Sequence, residues 1–164
     1  IVSWIRDLGL ILVVVYLISL WQERGLLDDD GSVSIDQQRL VSLGGEVTQL
    51  TEPGKRTLVY FFAPWCNVCA LSIGNLDGLQ SESLNVVRVA LDYQTRNDVE
   101  AFVQQNQVTG TVVLGNDQQK QTFQIPGYPT YYILDENNKV IARSFGYSTN
   151  WGMRLKYYLN SSEE

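Results

Sequence analysis

The chain of 164 residues has no histidine, two cysteines, one methionine and four prolines. Without histidine, no side chain titrates near neutrality by default, so imidazole acid–base catalysis is excluded. A structural zinc site takes about four Cys or His ligands, more than one copy of the chain can supply. No metal and no cofactor is expected. Basic residues are also sparse: 12 Lys and Arg stand against 18 Asp and Glu, a formal net charge of −6. They are scattered, whereas a nucleic-acid partner needs them concentrated, so no nucleic acid is expected. Asp28-Asp29-Asp30 and Glu163-Glu164 read as solvated acid. Gly54-Lys55 invites a phosphate-loop frame, but that frame fails at Gln49 and Arg56. No internal repeat or low-complexity tract is present. The hydrophobic share of 45% is enough for one ordinary core plus an appendage.

What is present centres on Leu58 to Leu71, L-V-Y-F-F-A-P-W-C-N-V-C-A-L. The unbroken apolar run Leu58–Phe62 predicts a strand covered on both faces. Ala63-Pro64 ends it. A C-x-x-C pair, Cys66 and Cys69, follows at the start of an expected helix, and that is a redox arrangement. Two intervening residues at a helix start meet the ~4.4–6.8 Å Cα separation of a disulfide. Unpaired backbone N–H groups and the positive helix end converge on the first sulfur. Both favour thiolate, so Cys66 is the expected attacking sulfur. Cys69, one turn further in, is the expected resolving sulfur. Asn67 and Val68 add no cation, and only the helix start and backbone donors are left to favour the thiolate. A purely structural disulfide is the alternative, but so short a loop removes little entropy from the unfolded chain.

In these residues the chain resembles the thioredoxin superfamily. F-F-A-P-W-C-N-V-C, ending at Cys69, matches that family's F-x-A-x-W-C-x-x-C signature. A second landmark, Gly127-Tyr128-Pro129-Thr130, precedes the apolar run Tyr131–Leu134. With the flanking strands, the resemblance covers roughly Glu46 to Leu159. It implies an α/β thioredoxin-like fold with a central mixed β-sheet flanked by helices. It implies that Pro129 is cis and faces the cysteine pair, and that the Tyr128 backbone pairs with substrate. Trp65 then shields the sulfur and offers an apolar docking surface.

The hydrophobic segment before the domain points to the membrane-anchored TlpA/ResA/DsbE-like branch. That branch implies a thiol–disulfide oxidoreductase reducing protein disulfides in the periplasm, supplied by a membrane-embedded thiol electron donor. Cytochrome c maturation and copper-stress protection are the roles such proteins suggest. A non-catalytic binding module and a disulfide-forming oxidase are the alternatives. The chain departs from the pattern at three places. Tyr60 stands where thioredoxins carry a buried aspartate, and Ser72 and Gly74 stand where anchored reductases often carry Glu and Pro. The proton acceptor is therefore unassigned, with Glu46, Glu52 and Asp92 as candidates by composition alone.

Residues 1–22 read as a membrane anchor and hence an N-terminal transmembrane helix, single-pass in the inner membrane. Leu8 to Trp21 carries no charge, and counting from Ile1 reaches the ~20 residues that span a bilayer. Trp4 and Trp21 bracket the segment as interfacial residues do. A signal peptide and a buried element are the alternatives, and Arg6 against Arg24 leaves orientation open. Residues 23–44 read as a linker, its polar part Gln22–Ser34 letting the domain stand off the membrane, and 45–164 as the thioredoxin-like domain.

Within the domain, Glu46–Leu50 predicts an edge strand and Pro53-Gly54 a turn. Asn67–Leu79 predicts a helix, apolar at Val68, Leu71, Leu76 and Leu79 and weakened at Gly74. Asn85–Leu91 predicts a strand with Val87, Val89 and Leu91 on one side. Asp98–Val108 predicts a helix capped by Asn97 or Thr95, with Val99, Phe102 and Val103 inward. A short strand is expected at Thr111–Leu114 and a short helix from Asn116-Asp117 to Phe123. Tyr131–Leu134 and Val140–Ser144 predict a hairpin turned at Asp135–Asn138. Asn150–Leu159 predicts a final helix with Trp151, Leu155, Tyr158 and Leu159 as core. Asn160-Ser161-Ser162 fits a glycosylation sequon, a motif of low specificity.

Overall fold

The computed structural model describes residues 2–159; the sequon at Asn160 and the Glu163-Glu164 end lie outside the described residues. Seven strands form one mixed sheet in the order β2-β1-β5-β4-β3-β6-β7. They are β1 (Arg39–Ser42), β2 (Val47–Gln49), β3 (Arg56–Phe62), β4 (Leu84–Ala90), β5 (Thr111–Leu114), β6 (Thr130–Leu134) and β7 (Val140–Phe145). The helices are α1 (Val2–Gln22), α2 (Asn67–Ser72), α3 (Arg96–Gln105), α4 (Asp117–Thr122) and α5 (Asn150–Leu159). Strands β3, β4 and β5 run parallel, and β1, β2, β6 and β7 pair antiparallel to their neighbours.

Every residue of β3 and β4 is buried, as two-sided strands require. Alternation then sorts their side chains into two cores. Leu58, Tyr60 and Phe62 face one cluster with Val86, Phe102, Tyr131 and both cysteines. Val59 and Phe61 face the other with Val87, Val89, Leu91, Phe123 and Tyr132. The sheet tolerates no Cβ at Gly115, where an added carbon would stand 2.7 Å from Val89 Cγ1 and 2.8 Å from Leu91 Cδ2.

Local signals set the element ends. Thr95 accepts from the Asp98 amide while Asp98 Oδ2 accepts from the Thr95 amide, a reciprocal cap that starts α3. Asn116 caps α4 through the Gln118 amide. Asp135 Oδ1 accepts from the amides of Asn137 and Lys139 and closes the β6–β7 turn. Val47–Gln49 is the edge strand predicted there, and the end of the segment read as a linker supplies β1.

Three expectations are corrected. First, the inward face of α2 is Cys69 and Ser72, continuing into Ile73 and Leu76 of a 3₁₀ turn, while Val68 and Leu71 are exposed. The helix tightens at Ile73–Leu76, around Gly74, and the change of pitch rotates the later residues inward. Second, α5 buries Met153 and packs Tyr157, whereas Trp151, Leu155, Tyr158 and Leu159 are exposed. Its rotation is held by polar grips: Asn150 Nδ2 donates to Asn75 O at 2.8 Å, and Arg154 donates to Gly78 O at 3.2 Å. Third, the segment read as a linker lies against the sheet. Leu26, Leu27 and Ile35 are buried in the second core. Gly31 and Val33 exchange backbone bonds with Val140, and Arg143 donates to the carbonyls of Leu26 and Leu27.

Helix α1 has 21 residues, and Leu8 and Leu10 to Ile18 are exposed along it and join neither core. Among the described residues, no helix is long and apolar enough to cross a membrane.

Candidate active site

Strand β3 ends at Phe62, and the Cys66 amide donates to Ala63 O at 3.0 Å, turning the chain sharply into α2. Cys66 is the N-cap residue, in extended conformation, and its Sγ accepts from the Cys69 amide at 3.1 Å. Cys66 and Cys69 are joined as a disulfide with a Cα separation of 5.2 Å. Cys66 keeps 7% exposure and Cys69 none, so only the first cysteine reaches the surface.

The residues predicted to flank the pair come together. Trp65 is 65% exposed, its Nε1 donates to Asp92 O at 2.9 Å, and its ring meets Tyr128 edge-on at 5.7 Å. The Tyr128–Pro129 bond is cis. Pro129 is buried, and its carbonyl accepts from the Gly146 amide at 2.8 Å. Tyr128 packs against both cores, and its ring reaches Trp65, the residue before Cys66.

Sequence reasoning missed a polar pair on this rim. Lys120 Nζ of α4 reaches Asp92 Oδ2 at 2.5 Å and also lies 5.9 Å from the centre of the Tyr128 ring. Burial pushes the Asp92 carboxyl up, but Lys120 and the nearby Tyr128 hydroxyl outweigh it and hold the group below its ordinary range. Tyr128 is pushed above the ordinary tyrosine range by burial first and by Asp92 second. Among the described residues, its hydroxyl finds no partner in hydrogen-bonding geometry. Asp92 has a φ of 49°, in the left-handed region that an aspartate tolerates better than most residues. A lone acid after a strand gives no sequence signal for this role, because Lys120 arrives from another helix. Val68 and Leu71, assigned to the apolar face of the helix by sequence, are exposed on α2, as is Trp65 just before it.

The other candidate acids are elsewhere. Glu46 lies in the β1–β2 turn, at the far edge of the sheet. Glu52 pairs with Lys55 at 2.7 Å before β3 begins, a strand's length from the cysteines. Two of the three positions where the chain departs from the thioredoxin pattern instead meet each other: the Tyr60 and Ser72 hydroxyls lie 2.7 Å apart, fully buried. Burial pushes Tyr60 up to about 12, against the opposing pull of Ser72 and Arg88.

A parallel core flanked by antiparallel edges, with a cysteine pair after its central strand β3 and a cis-proline before the adjacent antiparallel strand β6, defines a thioredoxin-like protein of the thiol–disulfide oxidoreductase class. The chain belongs to the Redoxin family, whose model matches residues 29–155. It is 27% identical to the thioredoxin-like protein YneN of Bacillus subtilis over 96% of this chain and 98% of that one. Two solved structures share its fold. StoA from Bacillus subtilis superposes with a TM-score of 0.66 at 23% identity, over 77% of this chain and 99% of that one. A thiol:disulfide interchange protein of the thioredoxin family from Chlorobium tepidum gives 0.69 at 19% identity, over 78% and 95%.

Proposed function

We propose that this protein reduces protein disulfides by thiol–disulfide exchange through Cys66 and Cys69, held at the bacterial inner membrane with its domain in the periplasm. The observation that carries the chemistry is the unequal exposure of two bonded sulfurs at one helix start: Cys66 at 7% and Cys69 at none. In the dithiol form the Cys69 amide that now points at Cys66 Sγ stabilises a thiolate there. That thiolate attacks a substrate disulfide, forms a mixed disulfide and releases one substrate sulfur. Cys69 then attacks Cys66, releases the second substrate sulfur and leaves the bonded pair. A membrane-embedded thiol donor returns two electrons and restores the dithiol. Substrate docks along Tyr128 and Pro129, with Trp65, Val68 and Leu71 as its apolar surround. The exposed apolar side chains of α1, bracketed by Trp4 and Trp21, support the anchor.

Cys66→Ser is expected to abolish insulin reduction, and Cys69→Ser to accumulate mixed disulfides. Full activity in both variants overturns the proposal. A couple near about −270 mV fits a reductase, whereas one near about −120 mV makes the protein an oxidase. Fractionation of the full chain tests the anchor: recovery in the alkali-washed membrane pellet supports it, and release into the wash removes it.

A further inference from the structure

Tyr60 and Ser72 form a polar pair with a readable proton order. Ser72 Oγ lies 2.9 Å from the Val68 carbonyl, which can only accept. A serine has one hydroxyl proton, so it goes to Val68. Across the 2.7 Å contact Tyr60 is therefore the donor and Ser72 the acceptor. Both protons are committed, and what remains on the two oxygens is lone pairs. Ser72 follows Cys69 at i+3 on the buried side of α2, where side chains are neighbours. Tyr60, Cys66 and Cys69 share one apolar cluster.

Tyr93, Tyr128 and Tyr157 pack against this cluster. Across the β3–β4 register Tyr60 stands opposite Arg88, whose guanidinium is turned to Asp77 at 2.9 Å. Across the β3–β6 register it stands opposite Tyr131, with Lys156 of α5 5.9 Å from that ring. The inward residues of α3, Val99 and Phe102, are apolar. Among the described residues, no Asp or Glu side chain is buried.

Resting on the exchange reading above, we propose that the Tyr60–Ser72 hydroxyl pair replaces an internal carboxylate as the polar partner of Cys69. Ser72 Oγ accepts from the Cys69 thiol in the dithiol form. With no spare proton to offer a sulfur anion, the pair keeps Cys69 protonated and leaves the thiolate on Cys66. In the resolving step the Cys66–Cys69 bond forms and the bond from Cys66 to the substrate sulfur breaks. The electron pair goes to that sulfur, and the Cys69 proton ends on it, so the substrate leaves as a thiol. Tyr60 and Ser72 are positioning residues in this step.

The test follows the Cys69 ¹³Cβ shift against pH in the reduced, full-length protein. In the wild type, Cys69 is expected to titrate well above the ~8.5 of an unperturbed thiol. Ser72→Ala frees the Tyr60 proton for the sulfur, and the Cys69 midpoint should fall by about one unit, a tenfold gain in acidity. Tyr60→Phe leaves Ser72 bonded to Val68, so it should move the midpoint far less, and the double variant should return it towards the wild-type value. A merely structural pair has no reason to lower the midpoint in one variant and restore it in the other. A wild-type midpoint at or below the ordinary value overturns the inference, as does an unchanged or raised midpoint in Ser72→Ala. If Ser72→Ala does not fold, the wild-type midpoint and Tyr60→Phe still decide. Insulin reduction is assayed alongside. Activity with a low Cys69 midpoint sinks only the hydroxyl-pair role, while activity untouched by Cys66→Ser sinks the exchange reading beneath it.

Discussion

Tyr60 and Tyr132 are both fully buried, sit on adjacent strands and face opposite sides of the sheet. Burial pushes each up to about 12. Their partners differ in kind. The Tyr132 hydroxyl donates to Phe123 O at 2.8 Å and accepts from the Leu27 amide at 3.2 Å, so it fastens two backbone segments. The Tyr60 hydroxyl meets a side chain, Ser72, on the helix that carries the cysteines. On one face of the sheet the tyrosine thus holds backbone segments together; on the other it meets the helix that carries the cysteines. Burial alone does not separate the two roles; the identity of the partner does.

Four substitutions sharpen or break this contrast, beginning with the strongest. Phe123→Ala removes a ring 4.7 Å from Phe61 and 5.7 Å from Tyr132. It should cost about 3–5 kcal/mol in denaturant unfolding and leave the potential of the cysteine couple alone. A shifted potential breaks the separation of the two faces. Tyr132→Phe should cost about 1–3 kcal/mol, because it strands a buried carbonyl and a buried amide. Faster hydrogen exchange at the Leu27 amide is the local readout. Tyr60→Phe should cost only about 1 kcal/mol, since Ser72 keeps its bond to Val68.

Both tyrosines also predict an alkaline limit. Their folded values lie above the ordinary ~10, so their contribution is full below that pH and is lost as pH rises through about 12. Each Phe variant should flatten that limb of a stability–pH curve. The smallest effect belongs to Asp92→Asn at the rim, under about 1 kcal/mol because the ion pair is partly solvated. The Asp92 carboxyl is held low in the fold, so its contribution is present above about pH 4 and disappears as pH falls through the folded value. Wild type and Asp92→Asn should therefore converge in acid; a gap that persists there means Asp92 acts through something other than its charge.

Much of the site was legible because it is local. The cysteine spacing, the apolar run before it and the Tyr128-Pro129 landmark each sit within a few residues; the cysteines are bonded, and Trp65 meets Tyr128 edge-on. The caps at Thr95 and Asn116 and the turn at Asp135 are local too. Helix faces were less legible. In α5, Trp151, Leu155, Tyr158 and Leu159 have the better apolar spacing, yet Met153 and Tyr157 meet the sheet. Periodicity reports that a stripe exists, not that a neighbour covers it; here Asn150 and Arg154 select the rotation through bonds to the Asn75 and Gly78 carbonyls. Leu26, Leu27 and Ile35 were hidden for another reason: three apolar residues spread through a polar segment have no period to read.

From its order of residues alone, the chain specified every strand but β1, its caps and a pair of sulfurs close enough to bond, since these depend on neighbours a few positions apart. The three-dimensional packing decided what those sulfurs face. It brought Lys120 to Asp92, turned Val68 and Leu71 outward, and set Tyr60 against Ser72. Such pairings join segments distant in the chain or on separate elements, and no spacing rule within one segment encodes a partner that only the closed sheet delivers.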